Sequence, residues 1–175
     1  MYTSFLKTGD REKDDKAFLE ACRLYMMEES TIFSHIADLS NIAALLYDYL
    51  EDVNWAGFYL FDGGKLVLGP FQGEPACTEI SLDRGVCGAA ARMMRTLVVD
   101  DVESFPSHIA CSSKSRSEIV VPIITEGKLL GVIDIDSPVL SRFDDRDARL
   151  IEELSSFIAS SLANDWVLNY DLSNS

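Results

Sequence analysis

The chain has 175 residues, a formal net charge of −14, 47% apolar residues and 25% charged ones. That is the usage of one soluble domain with a full core, and so acidic a surface repels phosphate backbones and anionic lipid, which argues against nucleic acid and membrane as partners. No apolar run nears the ~20 residues of a spanning helix, and the opening MYTSFLKTGDREKDDK has neither the apolar stretch nor the cleavage site of a secretory signal, so a cytoplasmic setting is expected.

Residues 1–10 read as an N-terminal tail, 11–168 as the domain and 169–175 as a C-terminal tail. Phe18, Leu19, Cys22, Tyr25 and Met26 recur at helical spacing and predict a helix from Asp14 to Glu29. A second helix follows, capped by Ser30 or Thr31, with Ile32, Ile36, Leu39, Ala43, Leu46 and Leu50 on its apolar face. NWAGFYLF is aromatic and β-prone, and the turn Asp62-Gly63-Gly64 joins it to KLVLGPF as a hairpin. An irregular stretch covers 71–85, VCGAAARMMR is a short helix, TLVVDD is a strand, and a second irregular stretch covers 102–117. EIVVPIIT and KLLGVIDIDS form another hairpin around Glu126-Gly127. Asp144 then caps a long closing helix that carries Leu150, Leu154, Phe157, Ile158 and Leu162, with Asp147 in its first turn. Antiparallel strands flanked by terminal helices make a single α+β domain with a central antiparallel sheet. Irregular stretches this long in a compact domain are usually functional.

Four cysteines are available: Cys22, Cys77, Cys87 and Cys111. There is no CxxC pair, and His35 and His108 lie far apart, so the spacing favours neither zinc nor a disulfide framework. Cys22 sits in a helical pattern and reads as a small buried hydrophobe, whereas the other three lie in segments rich in Gly, Pro and Ser, where chemistry is commoner. Cys87 follows Gly85 at the mouth of the short helix, where amide donors would favour a thiolate. Cys111 lies near Lys114 and Arg116, which would do the same, and Cys77 sits in a loop from which it can reach a partner. A nucleophilic thiol with a second thiol on a loop is the arrangement of thiol redox chemistry. Asp134 and Asp136 alternate on a strand and share a face, which must be pocket or solvent because two bare carboxylates cannot share a dry core. If the last two strands pair, Glu118 comes close to them. Trp55 and Tyr59 share a strand face, either as core or as part of a ligand box.

FQGEPAC, RGVCG, DVESFPSHIAC, SEIVVPI and GVIDIDSP together resemble the free methionine-(R)-sulfoxide reductases, enzymes built on a GAF domain, and the likeness extends over nearly the whole chain. The IDIDS strand alone would indicate only a GAF domain; three cysteines spaced ten and then 24 residues apart, each in its own motif, are more specific. The resemblance implies helices packed on one face of the sheet and a loop-enclosed pocket on the other, with free methionine (R)-sulfoxide as substrate and no cofactor. It makes Cys111 the attacking thiol and Cys77 the principal resolving thiol, with Cys87 an alternative resolver or a thiol that shapes the site. Glu118, Asp134 and Asp136 become the site acids, and Trp55 and Tyr59 the aromatic box. On Cys111 it overrides the helix-mouth argument for Cys87. It further implies that Cys111 attacks sulfur while Glu118 supplies the proton, that the resulting sulfenic acid condenses with Cys77, and that thioredoxin reopens the disulfide. The family precedent and the two N-terminal apolar helices point to a homodimer. Asp83 and Ser112 stand where members often carry Gly and Asp. The alternative is a GAF domain that senses a small ligand without catalysis.

Overall fold

Alternating side chains divide the strands between two cores. The computed structural model describes residues 7–26, 31–106 and 114–169, with side chains of the closing helix through Leu162. Six strands, β1 (Trp55–Phe61), β2 (Lys65–Gly73), β3 (Glu79–Ser81), β4 (Leu97–Val99), β5 (Ser117–Thr125) and β6 (Lys128–Ser137), form one antiparallel sheet in the order β3-β2-β1-β6-β5-β4. Ala56, Phe58, Ile119, Val121, Ile123, Ile133 and Ile135 belong to one core, with α1 (Arg11–Leu24), α2 (Ile32–Tyr49) and α4 (Asp145–Asn169) packed over them. Trp55, Tyr59, Val120 and Val132 belong to the other, where the short α3 (Gly85–Met93) brings Val86, Cys87, Ala90 and Ala91. The α+β architecture expected from the pattern is present, with α3 as the wall of the second face.

Both hairpins form where the turn residues place them: β1 pairs with β2 across Asp62, and β5 with β6 across Glu126-Gly127. Thr31 caps α2 in a reciprocal box with Ser34, and Asp144 accepts from the backbone N–H groups of Arg146 and Asp147 to start α4. Three expectations change. First, α1 begins at Arg11 because Asp10 caps it, and it ends at Leu24; Asp14 lies within the first turn and accepts from Thr8 and Gly9 instead of starting the helix. Second, Ile32 and Ile36 are about half exposed, because the buried arc of α2 runs through Leu39, Ile42, Ala43 and Leu46. Third, the irregular stretch 71–85 contains the end of β2 and all of β3, which is held at the sheet edge by pairing to Lys65–Val67.

Asp147 is a buried acid that ties α1 to α4. Its carboxylate is 1% exposed and pairs with Arg11 and Arg142, while also accepting from the Asp144 N–H. Removing one member of a buried pair costs ~3–5 kcal/mol. Because Arg11 is partly solvated, Asp147→Ala should destabilise by about 2–4 kcal/mol. Urea unfolding measures this, and a change below about 1 kcal/mol would show that the two arginines re-solvate at no cost.

Candidate active site

Register brings three acids together. Residues 134 and 136 lie on one face of β6 because side chains alternate with period two. Across the ladder Glu118 is directly opposite Asp136 and Val120 is opposite Asp134, while on the other side Trp55 faces Asp136 and Gly57 faces Asp134. All three acids line one cavity with Trp55, Tyr59 and Cys87. The three predicted acids and the two predicted aromatics therefore meet in one place.

These acids do not ionise alike. Burial, followed by the charges of Asp134 and Asp136, pushes Glu118 well above the ordinary carboxylate range. Burial, with the Asp134 charge behind it, does the same to Asp136, against a hydrogen bond from Ser115. Asp134 is also raised by burial, but hydrogen bonds from Cys87 and Glu118 hold it down. Neighbouring titratable groups pushed apart in this way divide the roles of acid and anion: Glu118 holds a proton and Asp134 carries the charge. Asp134 Oδ1 and Asn54 Oδ1 are buried with no hydrogen-bond partner among the described residues. Both residues line the cavity, so two acceptors are available to a bound donor.

The helix-mouth argument for Cys87 fails. Its thiol is buried, 3.8 Å from Glu118 Oε1. Burial first, and then the Asp134 and Glu118 charges, raise it well above an ordinary thiol. Amide donors at the start of a helix favour a thiolate, but a dry site facing carboxyls disfavours it more strongly. Cys87 is thus a neutral S–H donor. Cys22 is the inert core thiol expected, pushed up to about 12 by burial.

The cavity wall is aromatic. Trp55 stacks between Phe71, with ring centroids 5.3 Å apart, and Tyr59, at 5.9 Å. Gly73 sits at φ +130°, and a Cβ there would come within 2.6 Å of the Trp55 ring; only glycine lets the chain turn off β2 so close to it. Beyond it Glu74, Pro75 and Ala76 cover the cavity, and Cys77, the next residue, is disulfide-bonded, whereas Cys22 and Cys87 are free thiols. Cys111 lies outside the described residues. Lys114 pairs with Glu74.

Three residues that the sequence pattern did not single out complete the site: Asn54, Ser115 and Glu74. Asn54 Nδ2 donates to Ser115 Oγ at 3.2 Å, and Ser115 in turn bonds Asp136, so a short chain of hydrogen bonds orients that acid. An asparagine heading an apolar strand was the available signal for Asn54; Ser115 and Glu74 carried none. Cys87 Sγ and one oxygen each of Glu118 and Asp134 lie within 4.8 Å of one another, close enough to ligate a small cation, a convergence that no sequence spacing announced. No helix among the described residues is long and apolar enough to cross a membrane.

A family model for the GAF domain matches residues 36–163. The free methionine-R-sulfoxide reductase of Escherichia coli is 47% identical over 130 residues, which cover 74% of this chain and 79% of that protein. The protein of the same name from Saccharomyces cerevisiae is 45% identical over 134 residues, 72% of this chain and 74% of its own. The X-ray structure of free methionine-R-sulfoxide reductase from Neisseria meningitidis in complex with its substrate superposes with a TM-score of 0.85 at 40% identity, covering 93% of this chain and 96% of that one.

Proposed function

Because the chain belongs to the GAF-domain family of free methionine-R-sulfoxide reductases, we propose that it is an oxidoreductase that reduces free L-methionine (R)-S-oxide to L-methionine in the cytoplasm. One observation carries the reading to the residues: three carboxyls converge on one cavity beneath an aromatic wall, with a disulfide-bonded cysteine at the rim. A domain that only senses a ligand needs no such cysteine.

A sulfoxide sulfur is electrophilic, but its oxygen leaves only once protonated. The Cys111 thiolate bonds to the sulfoxide sulfur while the Glu118 carboxyl gives its proton to the oxygen and is left as a carboxylate. The hydroxyl then passes from the substrate sulfur to Cys111 Sγ as the sulfur–sulfur bond breaks, so methionine departs with that electron pair and Cys111 is left as a sulfenic acid. The Cys77 thiol displaces that hydroxyl as water and forms a disulfide. A dithiol protein of the thioredoxin class then supplies two electrons to reopen it. One observation supports the role of Cys77: it is disulfide-bonded, whereas Cys22 and Cys87 are free thiols.

Asp134, Asp136 and the Asn54 oxygen receive the substrate ammonium, and backbone amides of the loop before Cys111 receive its carboxylate. Methionine inside a peptide has neither charge, so the buried acceptors would stay unpaired and reject it. Trp55 and Tyr59 take the S-methyl group, and a rigid wall beside a chiral sulfur selects one epimer. The exposed Ile32, Phe33 and Ile36 of α2 are the surface that a homodimer would cover.

Incubation with the separated R and S epimers of free methionine sulfoxide and dithiothreitol tests the reading. Methionine should form from R alone; release from neither epimer, or equally from both, overturns it. Asp134→Asn should raise KM roughly ten- to a hundredfold with a smaller change in kcat, the worth of a charged hydrogen bond. An unchanged KM would take Asp134 out of the ammonium site.

A further inference from the structure

Trp55 and Tyr59 do more than present rings to the cavity. Trp55 Nε1–H donates to the Glu74 carbonyl oxygen at 3.1 Å, and Tyr59 O–H donates to the Cys77 carbonyl oxygen at 3.0 Å. The donors stand four residues apart on one face of β1, and the acceptors stand at the two ends of the segment that roofs the cavity. Both donor side chains are almost wholly buried, at 3% and 1% exposed. Burial, followed by the Asp134 charge, pushes the Tyr59 phenol upward, so it remains a donor. Glu74 also pairs with Lys114, but both side chains are more than half exposed, and exposed pairs hold little.

We infer that Trp55 and Tyr59 are positioning residues for disulfide closure: their two hydrogen bonds hold residues 74–77 where the Cys77 sulfur meets its partner. The inference rests on the reading of Cys77 as resolving thiol. The bonds are present in the state in which Cys77 is disulfide-bonded. A contact made in the closed state and loosened when the loop opens favours closing, and by linkage it makes the disulfide harder to reduce. The Tyr59 bond falls on the backbone of Cys77 itself, so it restricts where that sulfur can point.

Tyr59→Phe is the clean test, because it removes one oxygen and keeps the ring, its stack on Trp55 and the cavity wall. Equilibration of the variant with glutathione of fixed redox ratio should show the Cys77 disulfide about fivefold easier to reduce than in the unaltered protein, the worth of one neutral hydrogen bond. Trp55→Phe, which removes the other donor, should shift the equilibrium in the same direction. In a single turnover at saturating substrate without reductant, Tyr59→Phe should close the disulfide about fivefold more slowly relative to its own methionine-release step, with more sulfenic acid trapped by a 1,3-dicarbonyl reagent. Unaltered closure and an unaltered glutathione equilibrium would overturn the inference, as would an effect confined to KM, which would assign Tyr59 to the substrate wall alone. The glutathione equilibrium needs no substrate. It therefore still reads the positioning role if the epimer assay fails, and the two failures are distinguishable.

Discussion

Cys111→Ser should release no methionine from the R epimer under any reductant. The attack needs a sulfur anion, and a serine hydroxyl neither ionises near neutral pH nor forms a sulfenic acid. Two of the remaining thiols are poorly placed to substitute. Cys87 is held neutral by burial and by the carboxyls it faces, and Cys22 is enclosed in the core beneath the helices. Methionine quantified by chromatography measures the result. Turnover above about one per cent of the unaltered rate, on the scale of the loss expected when a nucleophile is removed, would move the nucleophile to Cys77 or Cys87.

Glu118→Gln should lower kcat by about 10²–10⁴-fold, the usual contribution of a positioned general acid, with little change in KM. Glutamine keeps the shape and loses the transferable proton. The pH profile carries the sharper signature. Glu118 is raised above its ordinary range, so its acid form persists above the pH at which a free glutamate would ionise, and activity falls as pH rises through the folded value. The glutamine variant should lack that alkaline limb. Stability follows the same linkage: a raised carboxyl binds more protons folded than unfolded, so the protein loses stability as pH climbs from the ordinary carboxylate range to the raised one. Glu118→Gln removes part of that slope. A variant that keeps the alkaline limb would assign the proton to another group, Asp136 first.

The legible parts of this molecule were local. Asp62-Gly63-Gly64 and Glu126-Gly127 announced their hairpins through turn chemistry, and the D-I-D alternation placed Asp134 and Asp136 on one face before any partner was known. Pairing residue 118 with that strand end followed from the hairpin alone. Features set by distant chain were not legible. Cys87 looked like a thiolate because the start of its helix is visible in the sequence, whereas the acids facing it lie 31 and 47 residues further along. Ile32 and Ile36 carry the period of a buried face but lie outside the arc that the sheet covers. Trp55 and Tyr59 could be read as core or as part of a ligand box; the carbonyls they bind belong to an irregular segment whose path no periodicity describes.

The most direct measurement is a peptide map after one turnover. Fully reduced protein receives one equivalent of the R epimer without reductant, free thiols are alkylated, and the digest is read by mass spectrometry. The account predicts one methionine released per chain, Cys77 and Cys111 joined, and Cys22 and Cys87 alkylated. A disulfide containing Cys87, or methionine released with all four cysteines still alkylated, would contradict it.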